Sequence, residues 1–257
     1  MMVLLTYPES DSAPPVHTLR LKPSVMATQG RIRVAILGAG GFARSAHLPN
    51  LQSLGDRFAL QAVVTRTGHS AAAVAKQFGA EVPFMRPSEL AKDETPDLPV
   101  FQHALQWLKE NERYEPDIVV QLWATSPYRK AGDIDKAIAL LSENDDADSV
   151  RSVTVPALTP FKMWRRDKGK FLTPLLQKEF PEIYERLEPH SMPRQILPDV
   201  VAQTGYVNVI RPNVILHGSM YGSRVLPFYH DPETYTEVDT LKDLAHTEHM
   251  LLNRKDV

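Results

Sequence analysis

The 257-residue chain has no cysteine. Disulfides, thiolate nucleophiles and thiolate metal sites are thereby excluded. It also lacks any apolar run approaching the roughly 18 residues that a membrane-spanning helix needs. Charge of neither sign dominates: 29 Lys and Arg stand against 31 Asp and Glu, for a net charge of −2. No global basic field therefore points to nucleic acid. The opening MMVLL is apolar, but it runs into Glu9 and Asp11 with no basic flank, which makes a poor secretory signal. The expectation is a soluble cytoplasmic protein with neither nucleic acid nor membrane as a partner.

Apolar material is ample at 43% of residues, enough for one large domain or two small ones. Proline is frequent, at 21 residues, in the first 30 positions and again after residue 155. Helix interiors and central strands tolerate it badly, so both regions should be loop-rich. Residues 1–30 carry Pro8, Pro14, Pro15 and Pro23 without a clear period. They are expected to be a disordered leader, with Met26 as an alternative start.

From Arg31 the pattern changes. IRVAIL (32–37) is a short apolar run ending in glycines, which suits a buried parallel strand. The pattern then predicts a helix over Ala43–Leu54, a strand FALQAVVT (58–65) and a helix over Ser70–Phe78 closed by Gly79. A strand over Val82–Met85, a helix over Leu98–Asn111 and a strand DIVVQLWAT (117–125) follow. A helix over Asp133–Asn144 and a strand SVRSVTV (149–155) complete the run. Such alternation predicts an α/β layer structure with a parallel sheet and right-handed crossovers. Past Pro156 it weakens. The residues there suggest a two-stranded excursion around Lys168-Gly169, a short helix FPEIYERL and a strand GYVNVIR (205–211). A strand VILHG (214–218) and a helix over Leu241–Leu252 end the chain.

GAGGFA (38–43) fits G-x-G-x-x-A between a strand and a helix, the setting of a dinucleotide fingerprint. Gly38 and Gly40 let the backbone approach a phosphate, and Arg44 follows on the helix. Arg66 occupies the region where a ribose-binding acid is expected; it suits a 2′-phosphate, so a cofactor preference leans to NADP. RVAILGAGGFARSAHLPNL and AVVTRTGHSAAAVAKQFGA resemble the N-terminal end of the glucose–fructose oxidoreductase and inositol dehydrogenase family, over about residues 31–80. That resemblance implies NAD(P) as cofactor. The chain nevertheless contains no Glu-Lys-Pro, whose lysine that family places near the nicotinamide. The alternative is a strand–turn–helix kept for its fold, binding no dinucleotide.

A second resemblance begins at Glu81. FMRPSELAKD (84–93), VVQLWATSPYR (119–129), GDIDKAIALL (132–141), DSVRSV (148–153), MPRQILP (192–198), QTGYVNVIRP (203–212) and EVDTLKDL (237–244) resemble the acylneuraminate cytidylyltransferases, in that family's order. The family joins CTP to an acidic nine-carbon sugar and releases pyrophosphate. The resemblance implies a three-layer, Rossmann-like open α/β sheet of the nucleotide-diphospho-sugar transferase type, with a loop-rich lid or dimerisation excursion. It makes 31–257 a single domain after the 1–30 leader: a βαβα opening (31–80), a cytidylyltransferase-like core (81–155 and 201–257) and the excursion (156–200). CTP, an acidic sugar and a second copy of the chain are the implied partners, and Mg2+ is the implied cofactor.

Residue roles follow from the same resemblance. Arg86, Asp93 and Thr95 fall in the nucleotide pocket. Glu237 and Asp239 alternate about Val238, so both side chains face one way on an extended segment, and they match the family's acidic metal ligands. Thr125, Ser126 and Arg129 follow the strongest strand, where open sheets bind ligands. A helix N-cap role for Ser126 is the alternative. Arg194, beside Gln195, grips the sugar carboxylate and, with Asp239, belongs to the catalytic set. Asn208 falls where some members contact the sugar. Trp123 stands where the bacterial sialic acid enzymes carry a polar residue and would alter the sugar pocket, so the sugar, sialic acid or a relative, is not named by the sequence. His47, His103, His246 and His249 show no metal-ligand spacing.

One part of the family pattern is missing. The basic glycine loop that wraps the triphosphate is replaced by GAGGFARS. The two resemblances meet near Ala75–Glu81, as in a chimera. The swap preserves the strand–loop–helix order while removing the cations that neutralise CTP. Three outcomes stay open: an altered cytidylyltransferase, an NAD(P)-binding protein and an inactive chain.

Overall fold

The computed structural model describes residues 31–252 apart from 42, 66, 67, 81, 83, 85, 93, 124, 128, 131, 167, 168 and 231–235. The expected leader, Arg66 and Asp93 lie outside these residues. The chain divides into two compact units between Tyr114 and Glu115.

The first unit is built on two parallel strands, β1 (Ile32–Leu37) and β2 (Phe58–Val64), with a register shift between Val34 and Ala35. The link between them is not one helix, as the sequence pattern suggested. A π-helical turn, Ala43–His47, precedes a short α1 (Leu48–Ser53) with proline in its first turn. Pro49 cannot donate to the preceding turn, and a wider turn before it accommodates that loss. α2 (Gly68–Phe78) ends at Gly79, whose φ is +73°, and Ala80 N donates to Ala75 O at 3.0 Å. This six-to-one bond satisfies a terminal carbonyl, as the sequence signal at Gly79 anticipated. Leu48, Val63, Val74, Ala75, Ala80 and Val82 form the core of the unit. Of the strand expected at Val82–Met85, Val82 is a bridging residue and Phe84 lies in no regular element, while residues 83 and 85 lie outside the described residues. α3 (Asp97–Glu112) buries Ala104 and Leu105 and closes at Arg113, which adopts a left-handed φ of 50°.

The second unit holds a four-stranded sheet in the order β3 (Val119–Gln121), β7 (Ala202–Ile210), β4 (Ser149–Thr154), β8 (Val225–Tyr229). The sheet is mixed, which corrects the all-parallel expectation. β7 runs antiparallel to β3 and β4, whereas β4 and β8 are parallel. The long excursion returns the chain in the reverse direction, so strand–helix alternation before it says nothing about β7. α4 (Asp133–Ser142) packs Ala137 and Leu141 against Val150, Val207 and Val209. Arg211 secures the end of α4 by donating to the carbonyls of Leu141, Asn144 and Ala147 at 2.8–3.2 Å.

The excursion contains an antiparallel pair, β5 (Trp164–Arg166) with β6 (Leu172–Pro174), and a short α5 (Pro181–Arg186). VILHG is not a strand: α6 (Pro212–Leu216) occupies it, with proline in its first turn. α7 (Leu241–Leu252) starts with a reciprocal cap. Asp243 accepts from Thr240 N at 2.9 Å, and Asp243 N donates to the Thr240 hydroxyl at 3.3 Å. Among the described residues no helix is long and apolar enough to cross a membrane.

Candidate functional sites

In the first unit, a cavity of about 230 Å³ opens at the carboxyl ends of β1 and β2. Its walls come from Leu37, Gly38, Val64, Phe84, Val100 and Phe101, with Arg86, Asp97 and His103 adding polarity. Strand ends of this kind are where open α/β sheets take ligands. Gly38 turns the chain with φ +94° and donates to Val64 O at 2.8 Å. Only glycine makes that turn without strain. Gly40 N donates back to Gly38 O at 2.7 Å, and Arg44 N to Gly40 O at 3.0 Å; the Arg44 side chain is exposed.

Gly38 and Arg86, both expected at a nucleotide site, thus line one cavity. The Arg86 Nε is buried without a hydrogen-bond partner. A buried unmade donor is costly, and an acceptor on a ligand would relieve it. The sequence reading missed the aromatic wall. Phe84 meets His103 edge-on at 5.2 Å and Trp107 at 4.9 Å. Burial lowers the pKa of His103, opposed by the charge of Glu89, so the wall favours the neutral imidazole. Apolar walls with a few directed polar groups suit a flat ring bearing acceptors. Thr95 sits on the turn after Ser88–Leu90, its amide bonded to Lys92 O at 3.2 Å and its hydroxyl to Glu89 O at 3.5 Å.

In the second unit, the loop after β3 meets the segment before α7. Val238 N donates to Thr125 O at 2.7 Å. This one bond sets Glu237 and Asp239, on either side of Val238, against the strand-end loop. Glu237 is half-buried and Asp239 is exposed. Ser126 is fully buried, and its hydroxyl has no partner. Trp123 packs on Gly205 so closely that a Cβ there would lie 2.4 Å from Trp123 Cε3 and 2.8 Å from Ser126 Oγ. The absent side chain at Gly205 is what admits the indole.

Arg129 has the geometry of a clamp. Its guanidinium donates to the carbonyls of Trp123 at 2.7 Å and Gly205 at 3.1 Å, and also to that of Tyr206. Asn208 is fully buried on β7, with its amide donating to Gln121 at 3.3 Å. Arg194 and Gln195 are exposed on a 3₁₀ turn, Arg194–Ile196. Among the described residues neither is hydrogen-bonded to the 236–240 segment.

The sequence reading also missed Tyr206, Asp133 and Lys130, which are bonded to one another beneath the loop. A tyrosine in the middle of a buried strand was the available signal, since a buried phenol seeks a partner. Burial and the bond to Asp133 raise the Tyr206 pKa far above the ordinary phenol value. Burial pushes Asp133 upward, yet hydrogen bonds from Lys136 and Tyr206 and the nearby lysine charges outweigh it and hold the carboxyl below its usual range. Among the described residues no three His, Asp or Glu side chains gather as a metal site.

Comparison with known proteins gives two strands of similarity. A family model described as "Oxidoreductase family, NAD-binding Rossmann fold" matches residues 32–100. The post-translational flagellin modification protein B of Campylobacter coli is 22% identical over 202 residues, covering 78% of this chain and 81% of that protein. Among solved structures, CMP:2-keto-3-deoxy-manno-octonic acid synthetase complexed with CTP is similar with a TM-score of 0.52 at 12% identity, covering 86% of this chain and 98% of that one. The 4-diphosphocytidyl-2C-methyl-D-erythritol synthase of Anaerococcus prevotii gives 0.48 at 11% identity, covering 87% and 100%. The fold is therefore a mixed α/β open-sheet fold of the nucleotide-diphospho-sugar transferase type, opened by a segment that a Rossmann family model also matches.

Proposed function

We propose that the chain is a cytidylyltransferase of the CMP-sugar synthetase type. It transfers CMP from CTP to an acidic nine-carbon sugar, sialic acid or a relative, and releases pyrophosphate. The observation that carries this reading is the Val238 N–H bond to Thr125 O, which sets the segment bearing Glu237 and Asp239 beside a strand-end loop. The likeness to a CTP-complexed synthetase supports it at the level of fold. A relative named for post-translational flagellin modification fits an enzyme that activates a group for attachment to protein.

Glu237 and Asp239 offer only oxygen donors, which suits Mg2+. With no third carboxylate gathered there among the described residues, the remaining ligands would be water and phosphate oxygens. When bound, the cation neutralises phosphate charge. Arg86, Asp93 and Thr95 serve the nucleotide, with Gly38, Gly40 and Arg44 on its phosphate side. Arg194 and Gln195 bind the sugar carboxylate. The protein acts in the cytoplasm as a homodimer through its 156–200 excursion. GAGGFARS offers Arg44 but lacks the lysine and arginine of the family's triphosphate loop, so turnover is slow; such contacts contribute about 3 kcal/mol to transition-state stabilisation.

The test is pyrophosphate release from CTP, Mg2+ and sialic acid, with Asp239→Ala as control. Zero release by the wild type, equal to the control, rejects the reading and leaves an inactive chain. A second reading, NAD(P) binding, is favoured by the family model over 32–100 and by the cavity at the β1 and β2 ends. Titration with NADPH, followed by its fluorescence, checks it. No binding at millimolar cofactor removes that alternative.

A further inference from the structure

The loop that carries Thr125 is tied down at its far end by one hydroxyl. Tyr206 is fully buried in the middle of β7. Its phenol donates to Asp133 Oδ2 at 2.6 Å and accepts the backbone N–H of Lys130 at 2.7 Å. Asp133 opens α4 directly after Gly132, which is left-handed at φ 83°. Lys136 Nζ holds the other Asp133 oxygen at 2.8 Å. The hydroxyl therefore bonds both Lys130 and Asp133. Arg129 binds the same loop to the carbonyls of Gly205 and Tyr206 on the same strand. At the near end of the loop, Thr125 O accepts Val238 N–H.

Packing does not explain the hydroxyl. The Tyr206 ring stacks on His230 at 4.5 Å with 16° between the planes. A phenylalanine ring fills that space equally well. What the oxygen adds is two directed bonds, both to one loop. A hydrogen bond in such buried surroundings is strengthened, and its loss leaves two groups unpaired.

We infer that Tyr206 is a positioning residue: its hydroxyl fixes loop 122–133 and, through Thr125, the 236–240 segment that bears Glu237 and Asp239. The inference rests on the transfer site proposed above for its functional meaning. Its physical content, coupling between position 206 and residues 236–240, does not depend on turnover.

Hydrogen-exchange mass spectrometry on the full chain tests it, comparing wild type, Tyr206→Phe and Asp133→Asn. Tyr206→Phe is expected to speed exchange about tenfold in peptides covering 122–133 and 236–240, the effect of one buried hydrogen bond. Peptides from β4 and from the first unit keep their wild-type rates. Asp133→Asn retains an acceptor for the phenol and stays near wild type. Uniform acceleration across the chain overturns the inference, because that is loss of stability alone. Acceleration confined to 122–133 overturns it too, because Glu237 and Asp239 are then not coupled to the loop. If Tyr206→Phe does not fold, Asp133→Ala removes the phenol's acceptor together with the Lys136 contact; it is read against the same outcomes, with Lys136→Met as the control for the lost ion pair. Failure of the wild type to release pyrophosphate defeats the proposed function and leaves the exchange result standing.

Discussion

The two units hold themselves together differently. The first relies on small apolar residues: Leu48, Val63, Val74 and Val82 are among its largest fully buried side chains. The second buries Tyr206, Leu141, Ile210 and Ile215 and adds polar clamps across long stretches of sequence. Arg129, Arg211 and Tyr206 each bond groups more than sixty residues away. An apolar core is non-directional and tolerates shape-conserving change. Directed clamps fix particular loops, and the loop held by Arg129 and Tyr206 carries Thr125, whose carbonyl accepts from Val238 N. Directed long-range clamps are therefore a feature of the second unit, while the first offers a cavity lined by Arg86, whose Nε is buried without a partner.

The strongest challenge to this contrast is Gly205→Ala. The added Cβ meets Trp123 and Ser126 inside van der Waals distance. Urea denaturation should show a loss of about 3 kcal/mol, the upper range for overpacking. A loss below about 1 kcal/mol would mean that the β3 end is looser than the clamp picture requires. Next comes Arg211→Met, which keeps the apolar stem but abandons the carbonyls of Leu141, Asn144 and Ala147. It should cost about 2 kcal/mol in the same measurement.

The first unit should respond less. At Gly38→Ala the new methyl meets nothing within 4 Å, so only the φ of +94° resists it. The expected loss is about 1 kcal/mol. A larger loss would mean that the glycine loop is more closely packed than the geometry indicates.

Much of the architecture was legible in residue pattern. The helices over Asp97–Glu112, Asp133–Ser142 and Leu241–Leu252 announce themselves by period, and Gly79 by its capping position. VILHG misled because its β-branched residues read as a strand. The decisive cue was Pro212, whose fixed φ suits a first helical turn. β8 was invisible: VLPFY contains a proline and alternates exposed with half-buried residues at a sheet edge. The DIVVQLWAT run shortens to Val119–Gln121 because Trp123 N turns to Gly205 O. At the sites, Gly38 with Arg86, and Thr125 with Val238, connect residues singled out by motif. The role of Tyr206 escaped because its partners Lys130 and Asp133 lie over seventy residues away. No local pattern encodes such a pairing.

The smallest effects are in the pH dependence, where the units should separate. Burial depresses the folded pKa of His103 below the ordinary imidazole value of 6.5. Its contribution is complete above pH 6.5 and fades as pH falls from there through the folded value. Asp133 is also depressed, from 3.8, by bonds that outweigh its burial. Its contribution is complete above pH 3.8 and fades only in stronger acid. Stability followed from pH 7 to pH 3 should show two acid limbs. His103→Gln should flatten the upper limb and leave the lower one. One merged limb unaffected by His103→Gln would contradict the assignment.

The most direct test of the central claim is pyrophosphate release from CTP and sialic acid with Mg2+, wild type beside Asp239→Ala. The account predicts slow but measurable release by the wild type and a fall of at least about a hundredfold in the variant. Equal release by both proteins would contradict it.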